Sequence, residues 1–247
     1  MPTLSAIVIA KNEARNIGDC LDALAFCDER IVVDGGSSDD TVRRAEAKGA
    51  RVVSRSFAGF GAQKNFALSL VTGDWVLSVD ADERVTPALA AEIRAAIARA
   101  DAAGYEMPRL SSFCGRIMRH SGWYPDYVLR LFRRGRARFS DDAVHERVIC
   151  EGKVVRLSEP LTHEPVLRLE DALSRMDRYS TAGAEKLAGR RVWFATGIVR
   201  GMWAFFRTYV LRAGFLDGRE GFLLAVANAE GTYYRYMKAW IAGRRRG

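Results

Sequence analysis

The sequence predicts an α/β protein, with a mostly parallel sheet in its N-terminal part and a helical C-terminal extension. Over the first hundred residues, short apolar segments alternate with segments whose apolar residues recur at helical spacing. This alternation is typical of βαβ units, in which successive strands lie parallel in one sheet. From about Leu167 onward the pattern is helical alone. In addition, polar clusters follow three of the early strands, and this favours a ligand site at one edge of the sheet.

The predicted elements follow from local patterns. Short apolar runs predict strands at residues 7–9, 31–33, 52–53 and 75–79. Helical spacing and capping signals predict helices at residues 17–24, 39–48, 61–70 and 86–100. Pro87 falls in the first turn of the last helix, where its missing N–H costs nothing. After Tyr105 the pattern loosens, and alternation predicts strands at residues 128–132 and 154–157. The C-terminal helical face contains Leu169, Leu173, Met176 and Tyr179.

The net charge is unevenly distributed along the chain. The total is +8, and the residues from Arg168 onward, with 15 Lys or Arg against 7 Asp or Glu, account for all of it. We therefore expect an α/β domain over residues 1–166 and a basic, amphipathic helical extension over residues 167–247. Such an asymmetry indicates an anionic partner for the extension, and nucleic acid or an anionic membrane are the usual ones.

The four cysteines suggest a reduced, cytosolic setting. Cys20, Cys27, Cys114 and Cys150 show no paired spacing, so neither a disulfide framework nor a zinc site is indicated. The N-terminus runs directly into an apolar strand without a basic region, and we expect no signal peptide.

Three polar clusters follow predicted strands. They are Lys11-Asn12-Glu13, Asp34-Gly35-Gly36-Ser37 and Asp80-Ala81-Asp82. Ligands of open α/β sheets bind beyond the carboxyl ends of the strands, so we expect the three clusters to form one site. Two carboxylates at positions i and i+2 suit a hard divalent cation, Mg²⁺ or Mn²⁺, that binds a diphosphate. The alternative for Asp80 and Asp82 is a simple turn after the strand.

The second cluster predicts recognition of a base or sugar. A glycine-rich loop at a helix start normally favours phosphate, but the three carboxylates of this loop would repel it. Asp34 is the ligand candidate, because a carboxylate accepts hydrogen bonds from an imide N–H or from ribose hydroxyls. Asp39 and Asp40 have the alternative role of helix caps.

Four segments together resemble the family 2 glycosyltransferases of GT-A fold, in order and spacing. They are Ser5–Ile17, Val33–Thr41, Gln63-Lys64-Asn65 and Leu77–Glu83. Later segments are similar to the subgroup of lipopolysaccharide inner-core β-1,4-glucosyltransferases. They are Gly122–Asp126, Leu129–Arg133, Val144–Glu146 and Phe205–Gly218. With these the resemblance covers nearly the whole chain.

The resemblance implies a GT-A (Rossmann-like) nucleotide-sugar domain and an inverting mechanism. Asp34 is then expected to bind the nucleotide base, and Asp82 is expected to be the main metal ligand. Asp80 is expected to bind the ribose or to support Asp82. One departure concerns Gly35, since many family members have a second acidic residue there. Further substrate contacts are expected from Lys11, Glu13, Lys64, Asn65, Trp123 and Arg130.

The remaining roles have open alternatives. Glu146 is our choice for the catalytic base, with Asp126, Asp141 and Asp142 as rivals. His163 has the late position from which GT-A enzymes often supply a histidine to the metal, although a structural histidine is the commoner case. Lys64 with Asn65 could equally form a solvated helix face. Arg130 and Arg133 either neutralise the diphosphate charge or lie in solvent, and a buried role for Trp123 is more common than sugar stacking.

The basic extension favours a membrane surface. Residues 192–216 are dense in aromatics but interrupted by Arg200, Arg207 and Arg212, so a transmembrane helix is not predicted. Aromatic and apolar residues interleaved with arginines suit a helix at the interface of an anionic membrane, and nucleic acid is disfavoured. The alternative is that these helices pack on the protein itself or on a second subunit.

The sequence therefore predicts a metal-dependent glycosyltransferase at the inner face of the cytoplasmic membrane. It would transfer a hexose, glucose by resemblance, from a UDP-sugar to a membrane glycolipid such as a heptose of the lipopolysaccharide inner core. Transfer to a polyprenyl-phosphate lipid or to a capsule or exopolysaccharide precursor is the alternative acceptor. An Asp-x-Asp phosphatase or a non-catalytic nucleotide-binding module are alternatives of a different class.

Overall fold

The computed structural model describes residues 2–140, 147–166 and 168–244. The chain forms two compact units. The first unit is made of Met1–Arg109 and Asp126–His163, and the second of Leu110–Pro125 and Glu164–Gly247. The predicted α/β class is confirmed, because strands and helices alternate over the first hundred residues and helices dominate the C-terminal part. The predicted domain boundary between residues 166 and 167 stays a prediction.

The elements have the following bounds. The strands are β1 (Leu4–Ala10), β2 (Glu29–Asp34), β3 (Arg51–Ser54), β4 (Trp75–Ser78), β5 (Glu83–Val85), β6 (Gly104–Phe113), β7 (Arg116–Ile117), β8 (Asp126–Arg133), β9 (Ala137–Phe139), β10 (Val148–Cys150), β11 (Val154–Arg156) and β12 (Leu161–Val166). The helices are α1 (Ile17–Ala23), α2 (Thr41–Ala47), α3 (Phe60–Ser69), α4 (Pro87–Arg99), α5 (Leu169–Glu185), α6 (Phe194–Phe206) and α7 (Gly218–Arg244). A π-helical turn, Arg207–Leu211, and a 3₁₀ turn, Gly214–Asp217, connect α6 to α7.

The strand order brings three carboxyl ends to one edge of the main sheet. The order is β3-β2-β1-β4-β8-β6-β12-β5, and β3, β2, β1 and β4 are parallel. β8 pairs antiparallel with β4, so the amino end of β8 lies beside the carboxyl end of β4. The edge therefore collects the loops after β1, β2 and β4 together with the first residues of β8.

The central parallel strands β1, β2 and β4 contain continuous apolar runs because both faces of the sheet are covered there. Successive residues of a strand point to opposite faces. In β1, Val8 packs in a cluster with Leu21 of α1 and Ile93 of α4, whereas Ile7 packs in a second cluster with Ala67 of α3. This double burial explains why β1 has no polar alternation, as is usual for parallel strands.

The second unit has its own core and a buried carboxylate. Phe113, Met118, Ala172 and Leu224 form the core, and the Trp123 ring packs edge-on against Phe113 at 5.8 Å between centroids. None of the described helices is both long and apolar enough to cross a membrane.

Asp217 fixes the loop that precedes Gly122 in the same unit. Its carboxylate accepts hydrogen bonds from the backbone N–H groups of Arg119, at 3.0 Å, and His120, at 3.1 Å. The Ser121 hydroxyl donates a third bond at 2.8 Å. Since Asp217 is buried, these donors take the place of water around its charge.

We expect Thr86→Ala to lower the free energy of unfolding by about 1 kcal/mol, because Thr86 is the N-cap of α4. Its Oγ1 accepts a hydrogen bond from the Leu89 N–H at 3.1 Å. Thr86→Ser keeps this acceptor and should change stability by less than about 0.5 kcal/mol. Urea unfolding followed by circular dichroism measures the free energy of unfolding of both variants. Equal losses of stability would show that the hydrogen bond to the Leu89 N–H does not contribute to it.

Candidate active site

The candidate site lies at the carboxyl edge of the parallel strands in the first unit. In the β1–β2 ladder, Ala10 is paired with Asp34, and in the β1–β4 ladder Ile7 is paired with Ser78. The first predicted polar cluster begins one residue after the end of β1, the second begins at the last residue of β2, and the third begins two residues after the end of β4. The structure thus places all three clusters along the same edge.

Asp34 is held by its own loop. Its carboxylate accepts hydrogen bonds from the Gly36 N–H at 3.0 Å, the Ser37 N–H at 3.1 Å and the Ser37 hydroxyl at 2.5 Å. Gly36 takes a positive φ of 85°, which lets the chain fold back over the carboxylate. The side chain is buried and its orientation is fixed before any ligand arrives.

Asn12, a member of the first polar cluster that was not among the predicted substrate contacts, connects the first and second loops. Its N–H donates to the Ser37 Oγ at 2.9 Å, and its side-chain oxygen accepts from the Ser38 N–H at 2.8 Å. Its φ is +57°, a left-handed conformation that Asn tolerates better than most residues. An Asn in a polar cluster after a strand is the sequence signal for such a role.

Lys11 and Glu13 flank Asn12 and differ in exposure. Lys11 is exposed at the end of β1. Glu13 is partly buried, its N–H donates to the Thr41 Oγ1 at 2.8 Å, and its carboxylate accepts from the Asn16 side chain at 2.8 Å. Glu13 therefore joins the first turn of α1 to the start of α2, and its role in substrate binding stays a prediction.

Asp80 is clamped between two cations. Lys64 Nζ lies 2.9 Å from one carboxylate oxygen, and Arg130 donates to the other at 2.5 Å. The surrounding protein disfavours the charged carboxylate, but Arg130 and Lys64 outweigh this and hold the pKa of Asp80 well below its usual value. Asp80 is consequently ionised and fixed in direction.

Glu83 closes the turn that follows β4. It is fully buried, and its carboxylate accepts from Arg130 at 2.6 Å and from the Asp80 N–H at 3.0 Å, with Arg109 at 3.6 Å. Its own N–H donates to the Asp80 carbonyl at 2.9 Å. Arg84 adds a bond to the Ala81 carbonyl at 2.7 Å. These bonds set the shape of the Asp80-Ala81-Asp82 turn.

Asp82 points to a different partner from Asp80. His163 of β12 places its Nε2 3.4 Å from Asp82 Oδ2, because β12 pairs with β5 just after the turn. Burial raises the pKa of Asp82, but the hydrogen bond and the charge of His163 outweigh burial, and the net pKa is lowered. The structure therefore brings together the two predicted metal ligands.

Lys64 and Asn65 are both used within the first unit. Lys64 is buried on α3, so the alternative of a solvated face is wrong for this residue. The amide of Asn65 donates to the Phe139 carbonyl at 2.9 Å and accepts from the Phe139 N–H at 2.8 Å. Asn65 thus anchors β9 beside α3, and direct contact with substrate stays a prediction.

A cleft of about 690 Å³ lies next to Asp80. Its polar wall is rich in cationic side chains, each of which has a carboxylate or other partner close by. The lining residues include Lys64, Asp80, Arg109, Tyr127, Arg130 and Arg147. Arg130 is buried, so the alternative that it lies in solvent is wrong. A cavity of this size accommodates a sugar residue.

Other predicted residues lie elsewhere. Arg133 donates to the Ala100 and Ala102 carbonyls and pairs with Trp75 at the opposite end of β4, so it does not join the site. Trp123 belongs to the second unit, and its sugar-stacking role stays a prediction. Among the candidate bases, Asp126 accepts from Arg109 at 2.6 Å. Glu146, Asp141 and Asp142 lie outside the described residues.

The fold and the geometry define an α/β protein with a candidate ligand site of carboxylates at the sheet edge. Comparison with known proteins identifies its class. The family model described as glycosyl transferase family 2 matches residues 5–152. The chain is 30% identical over 251 residues to a lipopolysaccharide core biosynthesis glycosyltransferase, LpsC, of Rhizobium meliloti, covering 96% of this chain and 90% of the relative.

Two further likenesses have different extents. An uncharacterised glycosyltransferase of Rickettsia felis is 29% identical over 256 residues, covering 96% of this chain and 89% of the relative. A crystal structure of glucosyl-3-phosphoglycerate synthase from Mycobacterium tuberculosis, in complex with Mn²⁺, UDP and glucosyl-3-phosphoglycerate, is 29% identical over 45% of this chain and 44% of that chain, with a TM-score of 0.39. The chain belongs to glycosyl transferase family 2, and it is a glycosyltransferase.

We expect Glu83→Ala to lower the free energy of unfolding by about 3–5 kcal/mol, because it leaves the buried Arg130 without one of its two carboxylates. The matched control is Glu106→Ala, which removes a carboxylate whose partner, Arg156, is largely exposed. That loss should be about 0–1 kcal/mol. Thermal and urea unfolding of the two variants provide the comparison, and similar losses would show that Glu83 does not stabilise the turn through Arg130.

Proposed function

We propose that the protein is an inverting glycosyltransferase that moves a hexose, glucose by resemblance, from a UDP-sugar to a membrane glycolipid. The observation that supports this most directly is the convergence of Asp34, Asp80 and Asp82 along one sheet edge beside a sugar-sized cleft. The full-length similarity to a lipopolysaccharide core glycosyltransferase supports a heptose of the inner core as the acceptor.

Asp34 is proposed to bind the uracil base. Three donors from its loop occupy the carboxylate, which has about four acceptor positions. One position is therefore left for an N–H donor such as the uracil imide. Lys11 and Glu13, at the neighbouring strand end, are proposed to line the nucleoside part of the site, with Asp80 towards the ribose.

Asp82 and His163 fit a divalent cation, Mg²⁺ or Mn²⁺. They offer a carboxylate oxygen and an imidazole nitrogen, and the described residues contain no group of three or more metal-ligand side chains. A site with few protein ligands suits a cation that is also bound by substrate phosphates. When bound, the cation supplies positive charge that stabilises the leaving diphosphate. Lys64 and Arg130, held beside Asp80, add fixed positive charge in the same region.

The transfer itself is a single displacement. The acceptor hydroxyl oxygen forms a bond to the anomeric carbon as the bond from that carbon to the diphosphate oxygen breaks, and UDP leaves with the electron pair. The hydroxyl proton passes to a carboxylate, for which we propose Glu146. Asp126 is less suited because Arg109 holds its carboxylate in an ion pair at 2.6 Å. Membership in the family favours transfer over the phosphatase and nucleotide-binding alternatives.

The reaction is proposed to occur at the inner face of the cytoplasmic membrane, where a UDP-sugar and a lipid-linked acceptor meet. The net charge of +8, all contributed from Arg168 onward, supports an anionic membrane surface as a partner rather than nucleic acid. A polyprenyl-phosphate lipid and a capsule or exopolysaccharide precursor are the other acceptors to be compared.

We expect Asp82→Asn to reduce kcat/KM for UDP release by at least about 100-fold, since it removes the charged metal ligand from the diphosphate site. The control is Asp74→Asn, the same substitution at the opposite end of β4, where Asp74 binds Thr3. The assay uses UDP-glucose with heptose-terminated lipopolysaccharide core, with and without Mn²⁺. Turnover of Asp82→Asn at the wild-type rate would contradict the proposal, and transfer only to a polyprenyl phosphate would overturn the acceptor assignment.

We expect Glu146→Gln to lower kcat by about 10²–10⁴-fold with little change in the KM for UDP-glucose, because the amide cannot take up the hydroxyl proton. Asp126→Asn, which removes the charge of a rival carboxylate, is the matched comparison. If Asp126→Asn shows the larger loss of kcat, the base is Asp126 and the assignment of Glu146 is wrong.

A further inference from the structure

Helix α6 of the second unit turns its small residues towards α7. Gly197, Gly201 and Ala204 are buried, at spacings of four and three residues that place them on one helix face. A Cβ added at Gly197 would clash with Met237 Cε, and one at Gly201 would lie 3.2 Å from the Ala229 carbonyl oxygen. The close approach of α7 therefore depends on this small-residue face.

The opposite face of α6 consists of large apolar side chains in solvent. Val199, Met202, Trp203 and Phe206 follow the i, i+3, i+4, i+7 spacing of one face. Their exposed fractions are 64%, 69%, 51% and 43%. The following turns continue the apolar exposure with Val210, Leu211, Phe215 and Leu216. Side chains of this size are rarely left exposed as a group on a soluble surface.

Arginines lie beside this face. Arg200 and Arg207 are exposed and seven residues apart, which places both on one flank of α6. Exposed Arg212 lies between the two turns that follow, and exposed Arg219 lies in the first turn of α7. A long arginine side chain can keep its charge at the level of lipid phosphates while its stem lies along apolar atoms. Two copies of the chain meeting through this face would bring like charges together, whereas an anionic bilayer complements them.

We propose that this face, Val199, Met202, Trp203 and Phe206 with the exposed residues of the two turns that follow, inserts into the interfacial region of an anionic bilayer. Arg200 and Arg207 then contact lipid phosphates, and α6 lies along the membrane plane. This face then holds the enzyme at its membrane, which rests on the proposed function only in that the acceptor is taken to be in the same bilayer.

The test is co-sedimentation of the full chain with vesicles of phosphatidylcholine containing about 30% phosphatidylglycerol. We expect Met202→Ser combined with Trp203→Ser to weaken binding at least about tenfold, because both side chains provide buried apolar area in the bound state. The matched control combines Leu173→Ser with Tyr179→Ser on α5, which are also exposed apolar residues, and should bind within about twofold of wild type. Arg200→Gln combined with Arg207→Gln should bind anionic vesicles more weakly and show a smaller salt dependence.

Several outcomes would overturn the inference. One is that the variant with Met202→Ser and Trp203→Ser binds vesicles as tightly as the wild type. The others are that the α5 control loses as much vesicle binding as this variant, or that the wild type does not bind vesicles. A wild-type dimer that becomes a monomer in the α6 variant, measured by light scattering, would instead assign the face to a second copy. UDP binding measured in parallel by calorimetry without vesicles separates the two proposals, because a chain that binds UDP but no vesicles contradicts only the membrane surface.

Discussion

The site depends on one buried arrangement of charges around Arg130. Arg130 and Glu83 are both removed from water, and Lys64 is nearly so, which would cost several kcal/mol for each ion if it were unpaired. With Asp80 included, the arrangement contains two positive and two negative groups, and the ion pairs between them are 2.5–2.9 Å long. The arrangement joins α3, β8 and the turn after β4. Because Asp80 is committed to it, Asp82 is left as the carboxylate that faces His163.

Local sequence pattern was sufficient to predict the strands that carry the site, but not the charges around Arg130. The strands β1, β2 and β4 were predictable because a doubly covered parallel strand has a continuous apolar run. From these strands the rule for carboxyl ends placed Asp34, Asp80 and Asp82 at one edge. β6 was missed because its sequence contains Gly104 and Pro108 and no regular alternation.

The partners of the carboxylates were beyond prediction from local pattern. Arg130 is 50 residues from Asp80 and 47 from Glu83 along the chain, so no periodicity connects them. From the sequence, Lys64 and Arg130 could either bind a ligand or lie in solvent. In the structure both are buried and form ion pairs with Asp80. The same limit applies to α6, where glycines indicate a weak helix. Their actual effect, the close approach of α7, appears only when Met237 and Ala229 are seen opposite them.

The bonds of Asp217 have a consequence for how such a protein can be divided or recombined. They join a residue late in the chain to the backbone of Arg119 and His120 and to the hydroxyl of Ser121, which precede both β8 and β12. A C-terminal segment exchanged at residue 166 would arrive without the loop that its aspartate binds in this structure. Grafting would have to move residues 110–125 as well, because they belong to the same compact unit as the C-terminal segment.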